Sequence, residues 1–226
     1  MMPYLHRAWI ILWKDLVTER RRKETLNALL FFSVLLLFLF QFALGADRER
    51  LQGALPGLLW LGFILAGLLA LGRSFLIELE NDCWEGLLLS AGDKSAIYVG
   101  KLAGNVITMA AVEAILLGMF GIFFNLDVWQ ALPGLALVAA LGTVGLAALG
   151  TLFAAITAQV RARELLFPVL LLPLVVPLLL GAVKSTETVL LGEPLGSVMH
   201  WLKLLAAADV VYLVIGVLTF EFILES

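Results

Sequence analysis

Three acids at helical spacing, Glu78, Asp82 and Glu85, stand in an otherwise oily chain, within the stretch RSFLIELENDCWEGLLLS that runs from Arg73 to Ser90. Steps of four and three place these carboxylates on one side of a helix. Phe75, Leu76, Leu79, Cys83 and Leu87 make an apolar stripe on another side. So short a helix does not hold on its own in water. The chemistry open to it is recognition: a partner groove with basic residues would pack on it, with charge setting register and choice of partner. A solvated loop joining two longer segments is the plainer reading of the same charges.

Other reactive groups are scattered. No GxxxxGK[ST] loop occurs, and Gly92-Asp93-Lys94-Ser95 lacks its spacing, so the chain powers nothing by its own nucleotide hydrolysis. There is no HExxH, no histidine pair at i,i+4 and nothing like GxSxG. The single Cys83 excludes an internal disulfide, a CxxC pair or a zinc cluster. A non-catalytic protein without a metal site is expected. Of the two histidines, His6 lies near the N-terminus and His200 stands beside Met199 and Trp201. His and Met can both ligate haem iron, but a lone His at such a position is more often a polar anchor. Asn105, Glu113 and Asp209 sit inside apolar runs. A charge at a bilayer centre costs about 2.5–3.5 kcal/mol, so it faces a protein interior or a wet cavity. These three are read as pathway or interface residues, or equally as buried polar groups bonded to a neighbouring helix.

The elements that must position these groups are membrane helices. Apolar residues make up 62% of the 226 residues and charged ones 15%, against about 45–50% and 25% in a soluble domain. The size fits one membrane domain, residues 1–226. Six runs approach the roughly 20 residues that span a bilayer: about 27–45, 55–72, 101–124, 131–158, 165–183 and 201–224. Backbone satisfaction in lipid makes them helices, an all-α integral membrane fold. With the N-terminus in the cytoplasm, eleven basic residues fall inside (Arg7, Lys14, Arg20 to Lys23, Arg73, Lys94, Lys101, Arg161, Arg163). Four fall outside: Arg48, Arg50, Lys184 and Lys203. The positive-inside rule then puts both termini and the acidic stretch in the cytoplasm. Residues 4–24, with Leu5, Trp9, Leu12, Trp13 and Leu16 opposite basic positions, read as an interfacial helix. Small residues four apart (Gly62, Ala66, Ala70; Gly150, Ala154, Ala158; Ala147, Thr151, Ala155) mark packing faces, within the chain or in a dimer. Pro168, Pro173 and Pro177 should bend or open the fifth span. Residues 184–200 should form a re-entrant segment or a loop.

Arg20-Arg21-Arg22 followed by TLNALLFFSVLLLFLFQFALG, then PGLLWLGFILAGLLALGRSF from Pro56, ELENDCWEGLLLS, and LLFPVLLLPLVVPLLLGAV from Leu165 occur in this order. Together they resemble the CcmB family, the membrane permease of the bacterial cytochrome c maturation system, over nearly the whole chain. The resemblance implies an ABC-2-type exporter-like permease of six transmembrane helices in the bacterial inner membrane, with a cytoplasmic coupling helix between the second and third. It implies a CcmA-like ATPase subunit, CcmC-like and CcmD-like membrane subunits, a CcmE-like haem chaperone and a permease homodimer. No nucleic-acid partner is expected. Haem enters as a transported or handled species and not as a firmly bound cofactor; the work of the complex is haem export or release of the haem-loaded chaperone. The segment that matches the family's ATPase contact runs from Glu78, so Glu78, Asp82, Trp84, Glu85 and Leu87 are the coupling candidates. The family's Asp-Gly-rich turn reads Asn81 to Gly86 here, and the proline often found after it is absent. An ABC-2 permease for a lipid-like or drug-like substrate, or a membrane assembly scaffold, is the alternative.

Overall fold

Leucine- and alanine-rich runs interrupted by short polar segments fold as helices along the chain. The computed structural model describes residues 4–22, 24–44, 48–84, 86, 93–124, 128–194 and 196–225. The helices are α1 Tyr4–Arg22, α2 Glu24–Leu44, α3 Arg48–Gly72, α4 Leu76–Glu80, α5 Ser95–Phe124, α6 Val128–Thr157, α7 Arg163–Leu190 and α8 Met199–Glu225. Among the described residues, five helical stretches are long and apolar enough to cross a membrane, within residues 53–80, 95–123, 131–157, 163–190 and 199–223.

Helix α6 is the hub and packs against α3, α5, α7 and α8. Its sequence explains why. A Cβ added at Gly142 would lie 2.1 Å from the Trp60 ring, at Gly145 2.1 Å from Leu178, and at Gly150 2.4 Å from Leu71. Two neighbouring helices, α3 and α7, therefore press their large side chains into the α6 backbone, and Ala147, Thr151, Ala154, Ala155 and Ala158 are buried there. Both α6 ridges thus serve packing within the chain. On α3 the crowded glycine is Gly67, 3.0 Å from Met109 by the same measure, whereas Gly62 meets nothing. Trp60 donates its indole N–H to Thr186 at 2.9 Å and ties α3 to α7.

Two alternatives are decided. Pro168, Pro173 and Pro177 do not open α7, which is a continuous helix of 28 residues. Residues 184–190 extend that helix instead of opening a re-entrant segment: Lys184 pairs with Glu187 at 2.8 Å, and Ser185 and Thr186 are buried. Among the described residues, Gly192 after α7 stands in the left-handed region at φ 75°.

Helix α1 lies across the start of α5. Gly100 permits this: a Cβ there would meet the Ala8 carbonyl oxygen at 2.7 Å and Ile11 at 2.8 Å. Leu5, Trp9 and Trp13 remain exposed on its other side. Asp93 caps α5 by accepting the Ser95 N–H at 2.9 Å. Hydrogen bonds from the Ser95 side chain and backbone hold the Asp93 carboxyl below the usual carboxylate range. The end of α3, the start of α5, the ends of α6 and α8 and the start of α7 meet at one end of the bundle. Phe75 stacks near Phe220, which contacts Tyr98, and Arg73, Thr157 and Arg163 line one crevice.

Candidate functional site

The acidic stretch does not continue as one helix to residue 87. Helix α4 covers five residues and stops at Asn81, whose side-chain amide donates back to the Ile77 carbonyl. The Cys83 N–H bonds to the Glu78 carbonyl at 2.8 Å and the Asp82 N–H to Leu79 at 3.3 Å. With Asp82 in the left-handed region at φ 53°, this is a Schellman cap in which Asp holds the place usually given to Gly. The reversal carries Trp84 back into the protein, 8% exposed, edge-on to Phe75 at 5.9 Å.

Glu78 consequently does not share an exposed acidic face. It is 3% exposed and forms the centre of an ion cluster. Lys101, 2% exposed, donates to Glu78 Oε1 at 2.6 Å and to the Ser74 carbonyl at 2.6 Å, and lies 3.1 Å from Asp15 Oδ2. Lys14 closes the cluster through Glu78 and through Asp15 at 3.0 Å. Burial works to lower the Lys14 pKa, but the carboxylates of Asp15 and Glu78 outweigh it and raise the pKa above the ordinary lysine value. The Lys101 ammonium also sits over the Phe75 ring, 5.1 Å from its centroid. Two cations and two anions therefore lock α1, α4 and α5 together with no net charge. Sequence reading missed Lys14, Asp15 and Lys101. The available signal was Lys101 itself, a cation opening an apolar run that needs a counter-charge nearby.

Asp82 and Cys83 face solvent, whereas Glu85 and Leu87 lie outside the described residues. Beside the lock is a polar pocket of about 240 Å³, reached by Asp15, Glu19, Arg73, Lys101 and Asn105. Asn105, one turn along α5 from Lys101, donates to Ser74 Oγ at 3.1 Å and Thr151 Oγ1 at 2.8 Å, joining α5 to α6.

Glu113 and Asp209 are not members of the lock, and each lies against α6. Glu113 is 5% exposed and accepts a hydrogen bond from Thr143 of α6. It lines an apolar cleft of about 660 Å³ between α5 and α6, walled by Ala110, Ala114, Gly118, Ala136 and Ala140. Asp209, also 5% exposed, lies against Gly145, where an added Cβ would stand 2.4 Å from its Oδ1. His200 is exposed and leans on Trp201, ring centres 4.9 Å apart. Chemically, the arrangement offers a charge-neutral tie between α1, α4 and α5 and an apolar cleft with one carboxyl group in its wall.

Comparison with known proteins adds family information. A family model described as CcmB protein matches residues 6–225. Heme exporter protein B of Pseudomonas aeruginosa is 30% identical over 188 residues, 83% of each chain. The protein of the same name from Bradyrhizobium diazoefficiens is 31% identical over 185 residues, 82% of each chain. That of Escherichia coli K12 is 29% identical over 191 residues, 84% of this chain and 86% of the relative.

Proposed function

The chain belongs to the CcmB family, and on that premise we propose that it is the membrane permease subunit of a haem-export and cytochrome c maturation ABC system, driven by ATP hydrolysis in a separate subunit. The observation that carries the coupling is the buried lock of Lys101, Glu78, Lys14 and Asp15. A short cytoplasmic segment floating between spans would transmit nothing. Tied by ion pairs to α1 and α5, it moves both when a CcmA-like ATPase presses on it.

The route inward follows α5. Asn105 links the lock to Thr151 of α6. Glu113 lies eight residues farther along, about 12 Å at 1.5 Å per residue. A small shift of α5 against α6 changes the Glu113–Thr143 contact and the cleft it lines. In this reading Asn105 and Glu113 respond to the motor from inside the membrane, and Asp209, against Gly145 of α6, is the third intramembrane polar group. Haem is substrate or handled species in this scheme, passed toward a CcmE-like chaperone with CcmC-like and CcmD-like subunits and a second permease copy.

Six crossings with both termini in the cytoplasm suit the connectivity. Helix α1 lies on the start of α5 through Gly100, while Phe38 of α2 packs edge-on to Phe123 near the end of α5, ring centres 5.3 Å apart. Helix α2 therefore runs from one end of the bundle to the other. Its 21 residues rise about 31 Å, enough to span the hydrocarbon. With α2 counted, the lock end holds Lys14, Arg73, Lys101 and Arg163, the sign expected of the inner face. Exposed Trp9 and Trp13 give α1 the character of an interfacial helix.

The test is reconstitution of the chain with its ATPase and membrane partners. Hydrolysis stimulated by haem or by release of the loaded chaperone is expected, and Asp82→Lys should cut ATPase co-purification while leaving the spans folded. Hydrolysis indifferent to both species, or full co-purification by Asp82→Lys, contradicts the reading.

A further inference from the structure

A second crevice opens at the lock end of the bundle, among α3, α6 and α7, and nothing in the transport scheme uses it. It holds about 350 Å³. Arg73, just past the end of α3, and Arg163, the first residue of α7, both line it. Its upper walls are apolar: Leu69, Leu76, Phe167 and Pro168, with Leu69 48% exposed on the outer surface of α3. Among the described residues, neither guanidinium is held in an ion pair or a hydrogen bond. Helix α7 also begins here, without a side-chain cap on its first N–H groups, which adds the positive end of a helix dipole. One exposed carboxylate, Glu164, shares the rim, so two cations and a helix N-terminus face one anion and the balance stays positive.

Charge at the membrane boundary joined to apolar walls running into the hydrocarbon describes an amphipathic anion. We propose that this crevice binds an anionic glycerophospholipid, its phosphate between Arg73 and Arg163 and an acyl chain along Leu69 and Phe167. A planar guanidinium engages phosphate oxygens in a two-pronged fashion, and basic pockets between membrane helices select acidic headgroups. A free phosphate would satisfy the arginines and leave the apolar walls unused.

Native mass spectrometry of the full chain, purified in mild detergent and offered phosphatidylglycerol, phosphatidylcholine or glycerol phosphate, tests this. Phosphatidylglycerol should be retained about tenfold over phosphatidylcholine, and glycerol phosphate at equal concentration should not displace it. Arg73→Gln or Arg163→Gln should each lower retention about fivefold, and the pair about twenty-fivefold. Arg161→Gln, outside the crevice, should leave retention unchanged. Helix content by circular dichroism identifies any variant that fails to fold, and the competition between headgroups needs the unmodified chain alone. Equal retention of the two lipids, displacement by glycerol phosphate, or full retention by a folded double variant would each overturn the proposal.

Discussion

Replacing Lys101 by Met tests the lock most sharply. The Lys101 ammonium donates to Glu78 at 2.6 Å and to the Ser74 carbonyl at 2.6 Å, and pairs with Asp15 at 3.1 Å. Both Lys101 and Glu78 are almost fully buried. Lys101→Met leaves Asp15 and Glu78 facing Lys14 alone, a net buried negative charge. Glu78→Gln leaves Lys14 and Lys101 facing Asp15 alone, the opposite imbalance. Breaking a buried pair by removing one partner costs about 3–5 kcal/mol, chiefly because the other charge is stranded. For a chain of this size each kcal/mol lowers Tm by about 2–4 °C, so either single change should drop it by at least about 6 °C. The double variant restores neutrality through Lys14 and Asp15. Its loss should fall short of the sum of the singles by about 2–3 kcal/mol. Thermal unfolding in detergent, followed by tryptophan emission, reads all three. Single variants within about 2 °C of the unmodified chain, or strictly additive losses, would refute the lock.

Asp82→Gly should match or exceed the original stability, whereas Asp82→Val should lose about 1–2 kcal/mol, because a β-branched residue is strained in the left-handed region; equal unfolding temperatures would contradict the cap. Gly100→Leu should push α1 off α5, lowering amide-exchange protection in α1 by at least about tenfold while α6 is unaffected; unchanged α1 protection would show that the close approach carries no weight. His200→Ala should keep most cytochrome c maturation, since the ring is exposed and rests on Trp201; loss of maturation at normal protein levels would reinstate a ligand role.

The helices were legible because each apolar run had to satisfy its backbone internally, and the C-terminal ends of α3, α5 and α6 fall within one residue of the run ends read at 72, 124 and 158. The end of α7 was not legible. Lys184 to Thr188 reads as a polar loop, yet Ser185 and Thr186 are buried and Thr186 accepts the Trp60 N–H from another helix. Such a partner, 126 residues away, is invisible to local pattern. The same limit applied to Glu78. Its spacing with Asp82 suggested a shared exposed face, but the Schellman turn at Asp82 ends that face after one turn of helix, and Lys101 draws the carboxylate inward. Glu113 and Asp209, singled out as costly acids inside apolar runs, are both buried in the bundle. Thr143, the partner of Glu113, is an uncharged hydroxyl among alanines and glycines and gave no sign of its role.

Cys83 is the only cysteine, free and exposed beside the cap, so a membrane-impermeant maleimide reports directly on the face that carries the lock. In inverted inner-membrane vesicles it should be labelled, and addition of the ATPase subunit should slow the reaction. In right-side-out vesicles it should stay unlabelled. Labelling confined to right-side-out vesicles would put the segment on the wrong side for any ATP-driven motor and contradict the account.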